Sequence, residues 1–546
     1  MGDISAAKPA WQDIAAGKRS QRDAHIPVDW RIDASKYEGL KSVLHVPRDC
    51  GLLSEKELRI TEKHDAVAIV EKIRDGIFTV EDVITAFCKR AAIVQQVTNC
   101  LTEIMFAEAI ATAKSMDEKR QRNPTGPLPP LYGLPISLKD GFKVPGFDAS
   151  IGFISLVDQP ATTYSALPAL LKDLGAVFYC KTNVPQTLMS ADSHNNVFGR
   201  TLNPYNTAMT AGGSSGGEAA LIAMRGSVLG LCTDIAGSVR IPAVCNGLYG
   251  FKACASIIPY AGQQSPASPG IPGILPSIGP LATSSRACAF LLENVMKAEP
   301  WKYDGTVLHL KWQDFQPRSV QPLRIGLIED NTMHTPSPPI RRALRESAEK
   351  MRRAGHVIVP ISFENLNVTQ TVDENWEMYG LDGSQMANKL LSSSGEPVVP
   401  SVVKAALLDR PAKTLEEIMS LNFKRLVART KFSKIWAQHK VDILMLPPSA
   451  HTAVPIDDWY CVSYTSLFNY LDWPATVLPV GTVSSEDVVD DGAKYGARDE
   501  HVYKAYTGPE DYAGLPTSIQ LLGQPQEDEK LAWYAQVVDR ILHNEA

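Results

Sequence analysis

No run in the 546-residue sequence reaches the ~18 consecutive apolar residues of a membrane-spanning helix, so no membrane span is expected. No Cys-x-x-Cys pair occurs. The nine cysteines are odd in number, scattered from Cys50 to Cys461, and mostly set in apolar runs, which points to buried free thiols rather than disulfides or zinc. The eleven histidines form neither HExxH nor HxH, and no metal or cofactor is expected. Charge of one sign is missing too: the net charge is only −6, which argues against nucleic acid as a partner. No Gly/Ser linker, charge block or repeat divides the chain, so one large domain is expected. The polar opening "MGDISAAKPAWQDIAAGKRSQRD" has no signal-peptide core, which makes a cytoplasmic location the expectation.

What is present is ordinary globular material, 44% hydrophobic and 21% charged. Residues 1–125 read as a helical region packed on a core formed by residues 126–546. "SEKELRITEKHDAVAIVEKIRDG" begins with a capping box, Ser54 and Glu57; "TVEDVITAFCKRAAIVQQV" and "NCLTEIMFAEAIATAKSMDEKRQR" read as two further helices. From "GLPISLKD" onward, short apolar runs alternate with helical periods, as in "ALPALLKDLGAVFYCKTN", "GEAALIAMRGSVLGLCTD" and "IRRALRESAEKMRRAGHVIVPIS". "KVDILMLPP" and "ATVLPVG" read as buried strands, and "DEKLAWYAQVVDRILHN" as a closing helix. The alternation predicts an α/β protein with a mixed central sheet sandwiched between helices.

Three stretches carry candidate chemistry. "GGSSGG" around Ser214 formally matches GxSxG, but the preceding "TLNPYNTAMT" is a polar loop rather than the strand a nucleophile elbow requires. Glycines ahead of a helix also expose amides to an anion, although without the GKS or GKT ending of a nucleotide loop. "TDIAGSVRIPA" puts Asp234–Ser238 directly after an apolar run, where consecutive amides could meet one bound oxyanion and Ser238 could be a nucleophile. Serine needs a base. His194 in "SADSHNNVFG" is a nominal one, better read as a hydrogen-bonded loop residue. Lys139 ends the apolar run of "GLPISLKD", and burial there would lower its pKa from ~10.4. "DDWYCVSYTSLFNYLDW" fits aromatic lining of a pocket and ordinary helix packing equally well.

Taken together, "GLPISLKD", "TNVPQTLMS", "GGSSGGE" and "TDIAGSVRIPA" resemble the amidase signature family, with Ser214 75 positions after Lys139 and Ser238 24 positions further on. Nearly the full chain looks like the fungal acetamidases. The resemblance implies a Ser-Ser-Lys triad. Ser238 would attack an amide carbonyl and carry the acyl group, and Ser214 would relay the proton to Lys139. The amides of Ile235, Ala236, Gly237 and Ser238 would form the oxyanion hole. Leu188 would line the acyl pocket, and the Gly213–Ser214 peptide would be cis. Cys232 and Ala236 stand where the family usually has glycine, and "GFKACAS" lacks the usual proline after the motif. Cys232 is expected to face the core. The implied activity is hydrolysis of a carboxylic amide, acetamide-like as the first expectation. Bulkier fatty-acyl, aryl or secondary-metabolite amides are the alternative within the same chemistry. A glutaminase subunit of a tRNA-dependent amidotransferase and a decayed binding protein are the remaining readings. A small-molecule amide is the implied partner, and a homodimer is possible.

Overall fold

Short apolar segments that bury every residue can only be satisfied by sheet neighbours on both edges and cover on both faces. In the computed structural model, which describes residues 10–315 and 322–544, they form a single large sheet. Residues 1–9 of the polar opening lie outside the described residues.

The strands in chain order are β1 (Leu101–Ile104), β2 (Pro135–Lys139), β3 (Val177–Thr182), β4 (His194–Asn195), β5 (Gly199–Arg200), β6 (Leu229–Asp234), β7 (Tyr249–Lys252), β8 (Ser277–Ala282), β9 (Arg324–Leu327), β10 (Val357–Pro360), β11 (Ile443–Leu446), β12 (Ala475–Thr482) and β13 (Pro516–Leu522). Eleven of them make one mixed sheet in the order β1-β3-β2-β6-β8-β7-β12-β13-β11-β9-β10, while β4 and β5 form a separate hairpin. Strands β3, β2 and β6 run parallel, and β6–β8–β7–β12–β13 are antiparallel neighbours. Successive strand residues face opposite sides of a sheet. Along β12, Val477 packs with Ala243 and Val244, whereas Leu478 belongs to the cluster holding Leu531 and Val538. Helices therefore cover both faces, as the alternation of the sequence predicts.

Two N-terminal elements differ from the sequence reading. The first expected helix is two, Glu55–Lys63 and Ala66–Arg74, because His64 is extended and Asp65 caps the second helix by accepting from the Ala68 amide at 3.0 Å. The Ser54–Glu57 capping box is present. In the third expected helix, residues 101–104 are instead strand β1, paired antiparallel with β3, and the helix begins only at Phe106. Asn99 turns left-handed at φ 53° and ends the preceding helix, and pairing with β3 then overrides local helical periodicity. The sheet thus crosses the expected boundary at residue 125. All nine cysteines are free, and all but the half-buried Cys50 are buried. Among the described residues no helix is long and apolar enough to cross a membrane.

Candidate active site

Strand β2 delivers Lys139 into the middle of the sheet, where it is only 1% exposed. Its register places it beside Thr182 of β3, with the preceding Leu138 beside Leu231 of β6. Nζ donates to Ser214 Oγ at 2.7 Å and to Thr233 Oγ1 at 2.9 Å. Burial disfavours the ammonium form and lowers the pKa to about 8, although Cys232, Asp234 and Glu218 pull the other way. Behind the lysine lies Glu218, which accepts from Ser137 and from Thr182 at 2.7 Å. Burial lifts its carboxyl to about 7 against those hydrogen bonds.

Ser214 sits at the entry to the helix Gly216–Ala223, after a cis Gly213–Ser214 peptide bond. Gly213 is required by a close approach: a Cβ there would stand 2.4 Å from the Ser190 carbonyl oxygen.

Strand β6 ends at Asp234, and the chain turns through residues 235–238 into the helix Arg240–Asn246. This turn is heavily tied. The Asp234 carboxylate accepts from the amides of Gly237 at 2.8 Å and Val239 at 3.1 Å, from Asn469, and from the Arg240 guanidinium at 2.9 and 3.1 Å. Burial would raise its pKa, but the Arg240 cation holds it well below the usual carboxylate range. On the carbonyl side, Tyr379 donates to Ile235 at 2.7 Å and Thr465 to Ala236 at 2.6 Å. Gly237 has φ 132°, and a Cβ there would meet Thr465 Oγ1 at 2.4 Å. Ala236 is not in the left-handed region.

The four amides expected to face one oxyanion are therefore not equivalent. That of Gly237 is already donated to Asp234. Those of Ile235, Ala236 and Ser238 have no acceptor among the described residues. Ser238, Ile235 and Ala236 line a cavity of about 470 Å³ together with Gly213 and Leu188. The Ser238 hydroxyl has no hydrogen-bond partner among the described residues: Lys139 and Ser214 are in direct contact beneath the cavity wall, while Ser238 lines the cavity without bonding to either. Leu188 and its neighbour Thr187 are both left-handed, at φ 61° and 73°, conformations that side chains seldom adopt and that the surrounding structure must impose. Cys232 is fully buried, packed with Val239 and Leu281.

His194 is engaged elsewhere. It contacts the Arg200 guanidinium at 3.0 Å, and burial and that cation lower its pKa. Arg200 in turn pairs with Asp192 and Asp457. The aromatic segment divides between its two readings: Trp459, Tyr460 and Val462 line the cavity, while Tyr464, Phe468 and Trp473 pack in the core. Sequence reasoning missed Thr233, Glu218 and Arg240, which stood inside quoted motifs, and Tyr379, Thr465 and Asn469, which no local pattern ties to the turn. The cavity walls from Met333, Val372 and Trp376 also carried no signal.

A buried lysine bonded to a serine, beside a turn with unpaired amides and a second serine, is suited to acyl transfer. The Amidase family model matches residues 82–532. The chain is 36% identical over 548 residues to an "Amidase" of Gibberella moniliformis, covering 97% of this chain and 99% of that one. It is 34% identical over 550 residues to an "Acetamidase" of Aspergillus oryzae, covering 98% and 99%. A solved fatty acid amide hydrolase has the same fold, with a TM-score of 0.90 and 29% identity over 97% of this chain and 95% of that one. This is an amide-hydrolysing enzyme. The chain belongs to the amidase family.

Proposed function

We propose that this enzyme cleaves a carboxylic amide through an acyl-enzyme on Ser238. Ser238 Oγ bonds to the carbonyl carbon while its proton passes through Ser214 Oγ to neutral Lys139 Nζ. The carbonyl oxygen, now negative, accepts from the amides of Ile235, Ala236 and Ser238. As the C–N bond breaks, the proton returns through Ser214 to the leaving nitrogen. Water then repeats the sequence on the ester and releases the acid. The observation that carries this reading is the buried Lys139 Nζ bonded to Ser214 Oγ at 2.7 Å, with a pKa lowered to about 8. A fluorophosphonate probe followed by peptide mass spectrometry tests it. Label on Ser238, absent in Ser238→Ala, is the expected result, and label on another residue overturns the assignment.

The first expectation for the substrate was a small, acetamide-like amide, and a relative bears the name acetamidase. The cavity supports the bulkier alternative. Its volume of about 470 Å³ falls in the ~300–1,000 Å³ range of sites for drug-sized ligands, and Leu188, Ile241, Met333, Val372, Trp376 and Trp459 supply an apolar wall beside charged groups such as Asp373, Arg410 and Arg498. An amide with an extended apolar acyl or aryl group is the proposed substrate class. Across a panel from acetamide to long-chain and aryl amides, kcat/KM should rise with apolar size, and a maximum at acetamide overturns this choice.

A further inference from the structure

A buried polar atom without a partner is costly, and folded chains keep few of them. Three such atoms belong to residues that line the active-site cavity: Asp192 Oδ1, His334 Nε2 and Ser401 Oγ. None has a hydrogen-bond partner among the described residues, and none takes part in the acyl transfer proposed above. A serine hydroxyl rotates, and a carboxyl changes character with its proton. At His334 the surrounding network fixes where the hydrogen sits.

That network starts from the backbone. Asn331 Oδ1 accepts from the amides of Met333 at 3.1 Å and His334 at 2.9 Å. Its Nδ2 is therefore the end that donates to Ser463 Oγ, at 2.8 Å. Ser463 is left with its own hydrogen to give, and His334 Nδ1 lies 2.7 Å away. An imidazole that accepts at Nδ1 carries its proton on Nε2. Cys461 Sγ lies 3.8 Å from both Nδ1 and Ser463 Oγ. Burial would lower the His334 pKa, but Cys461 and Asp499 outweigh it and raise it. A ring that took up a second proton would still hold a hydrogen on Nε2.

His334 is also held in place. Its carbonyl accepts from the Tyr464 hydroxyl at 2.6 Å, and the residue is only 2% exposed. Tyr464 and Ser463 belong to the helix Ser463–Tyr470, whose Thr465 donates to the Ala236 carbonyl. One helix thus ties His334 to the turn after β6. With amide, carbonyl and Nδ1 all engaged, Nε2 is the only free polar atom of His334 at the cavity wall.

We propose that His334 selects the substrate by donating from Nε2 to a hydrogen-bond acceptor on an otherwise apolar amide, away from the scissile bond. An ether or carbonyl oxygen or a ring nitrogen has the required chemistry. This rests on the acyl-enzyme reading above and adds to it the kind of amide preferred. An all-carbon group of the same shape leaves the donor unpaired, and a site built around a donor discriminates against such an isostere.

Amides of equal length, in which an ether oxygen replaces one methylene at each position in turn, test the proposal through kcat/KM. One position should raise kcat/KM about tenfold or more over the all-carbon amide. His334→Asn keeps a polar atom for Ser463 but ends short of Nε2, and should bring that ratio to within about twofold of one. His334→Gln reaches the Nε2 position with an N–H and should keep the ratio above about fivefold. Circular dichroism and fluorophosphonate labelling of Ser238 check that each variant is folded. No preferred position in the wild type, a preference that survives His334→Asn, or a ratio lost equally in both variants overturns the proposal and leaves the acyl-enzyme reading standing. A wild type that hydrolyses none of the series and takes no label on Ser238 overturns that reading, and this proposal with it.

Discussion

Lys139 is a base only when neutral, and its burial sets the pH at which that holds. With its pKa lowered to about 8, the lysine is mostly protonated below that pH. The expected profile of kcat/KM therefore rises with pH through about 8 and falls about tenfold per unit on the acid side. An ascending limb near the usual lysine value, or one absent altogether, would remove Lys139 from the proposed role. Ala236 tests the oxyanion role proposed for the turn. Because its backbone is not left-handed, the methyl group imposes no strain that glycine would relieve. Ala236→Gly should change the rate on small amides by less than tenfold and broaden tolerance for bulky acyl groups. A uniform gain of several hundredfold would mean that the methyl misaims a donor, since losing one typically costs ~10²–10³ in rate.

The turn after β6 holds its amides in place through Asp234, and Asp234 stays ionised in the core chiefly because Arg240 accompanies it, with Lys252 and Asn469 adding to the pull. Both side chains are fully buried. Removing one partner leaves an uncompensated charge, which typically costs ~3–5 kcal/mol. Arg240→Met should lower the melting temperature accordingly in a thermal melt and should also reduce kcat, because the amides of Ile235 and Ala236 lose their anchored frame. Unchanged stability and unchanged kcat would show that the turn is held without the Arg240–Asp234 pair. At this scale the sequence was legible where a cap or a period spoke: the Ser54 capping box and the helix–strand pairs around Lys139 and Ser238. It was not legible at residues 101–104, whose strand character depends on β3, about eighty positions away.

Across the molecule, the N-terminal helix Trp11–Ala24 is pinned to the sheet edge by two buried cations, Lys18 and Arg22, the second donating to the Leu101 carbonyl of β1 at 3.0 Å. Lys18 bonds Glu103 of β1 at 2.6 Å and Asp148 at 2.7 Å, and all three are buried. Burial would lower the lysine pKa, but the two carboxylates outweigh it and raise it; burial likewise lifts Glu103 to about 7 against the pull of Lys18 and Lys181. Lys18→Met should destabilise the protein by ~3–5 kcal/mol, and adding Glu103→Gln should recover part of the loss. Denaturant melts of the single and double variants measure this. Equal stability of all three proteins would show that the helix is held without Lys18.

The sequence by itself determined the class of fold and, through the family resemblance, singled out Lys139, Ser214 and Ser238 as candidates, because glycine frames, strand ends and spacing are local properties written in consecutive residues. Tertiary structure alone decided the order of the eleven strands and the withdrawal of the Gly237 amide to Asp234. It alone also decided the support of the turn by Tyr379, Thr465 and Asn469 and the extent of the cavity. Each of these depends on which distant segments share a face of the sheet. Burial, pairing and desolvation are sums over neighbours in space, and neither composition nor periodicity encodes those neighbours.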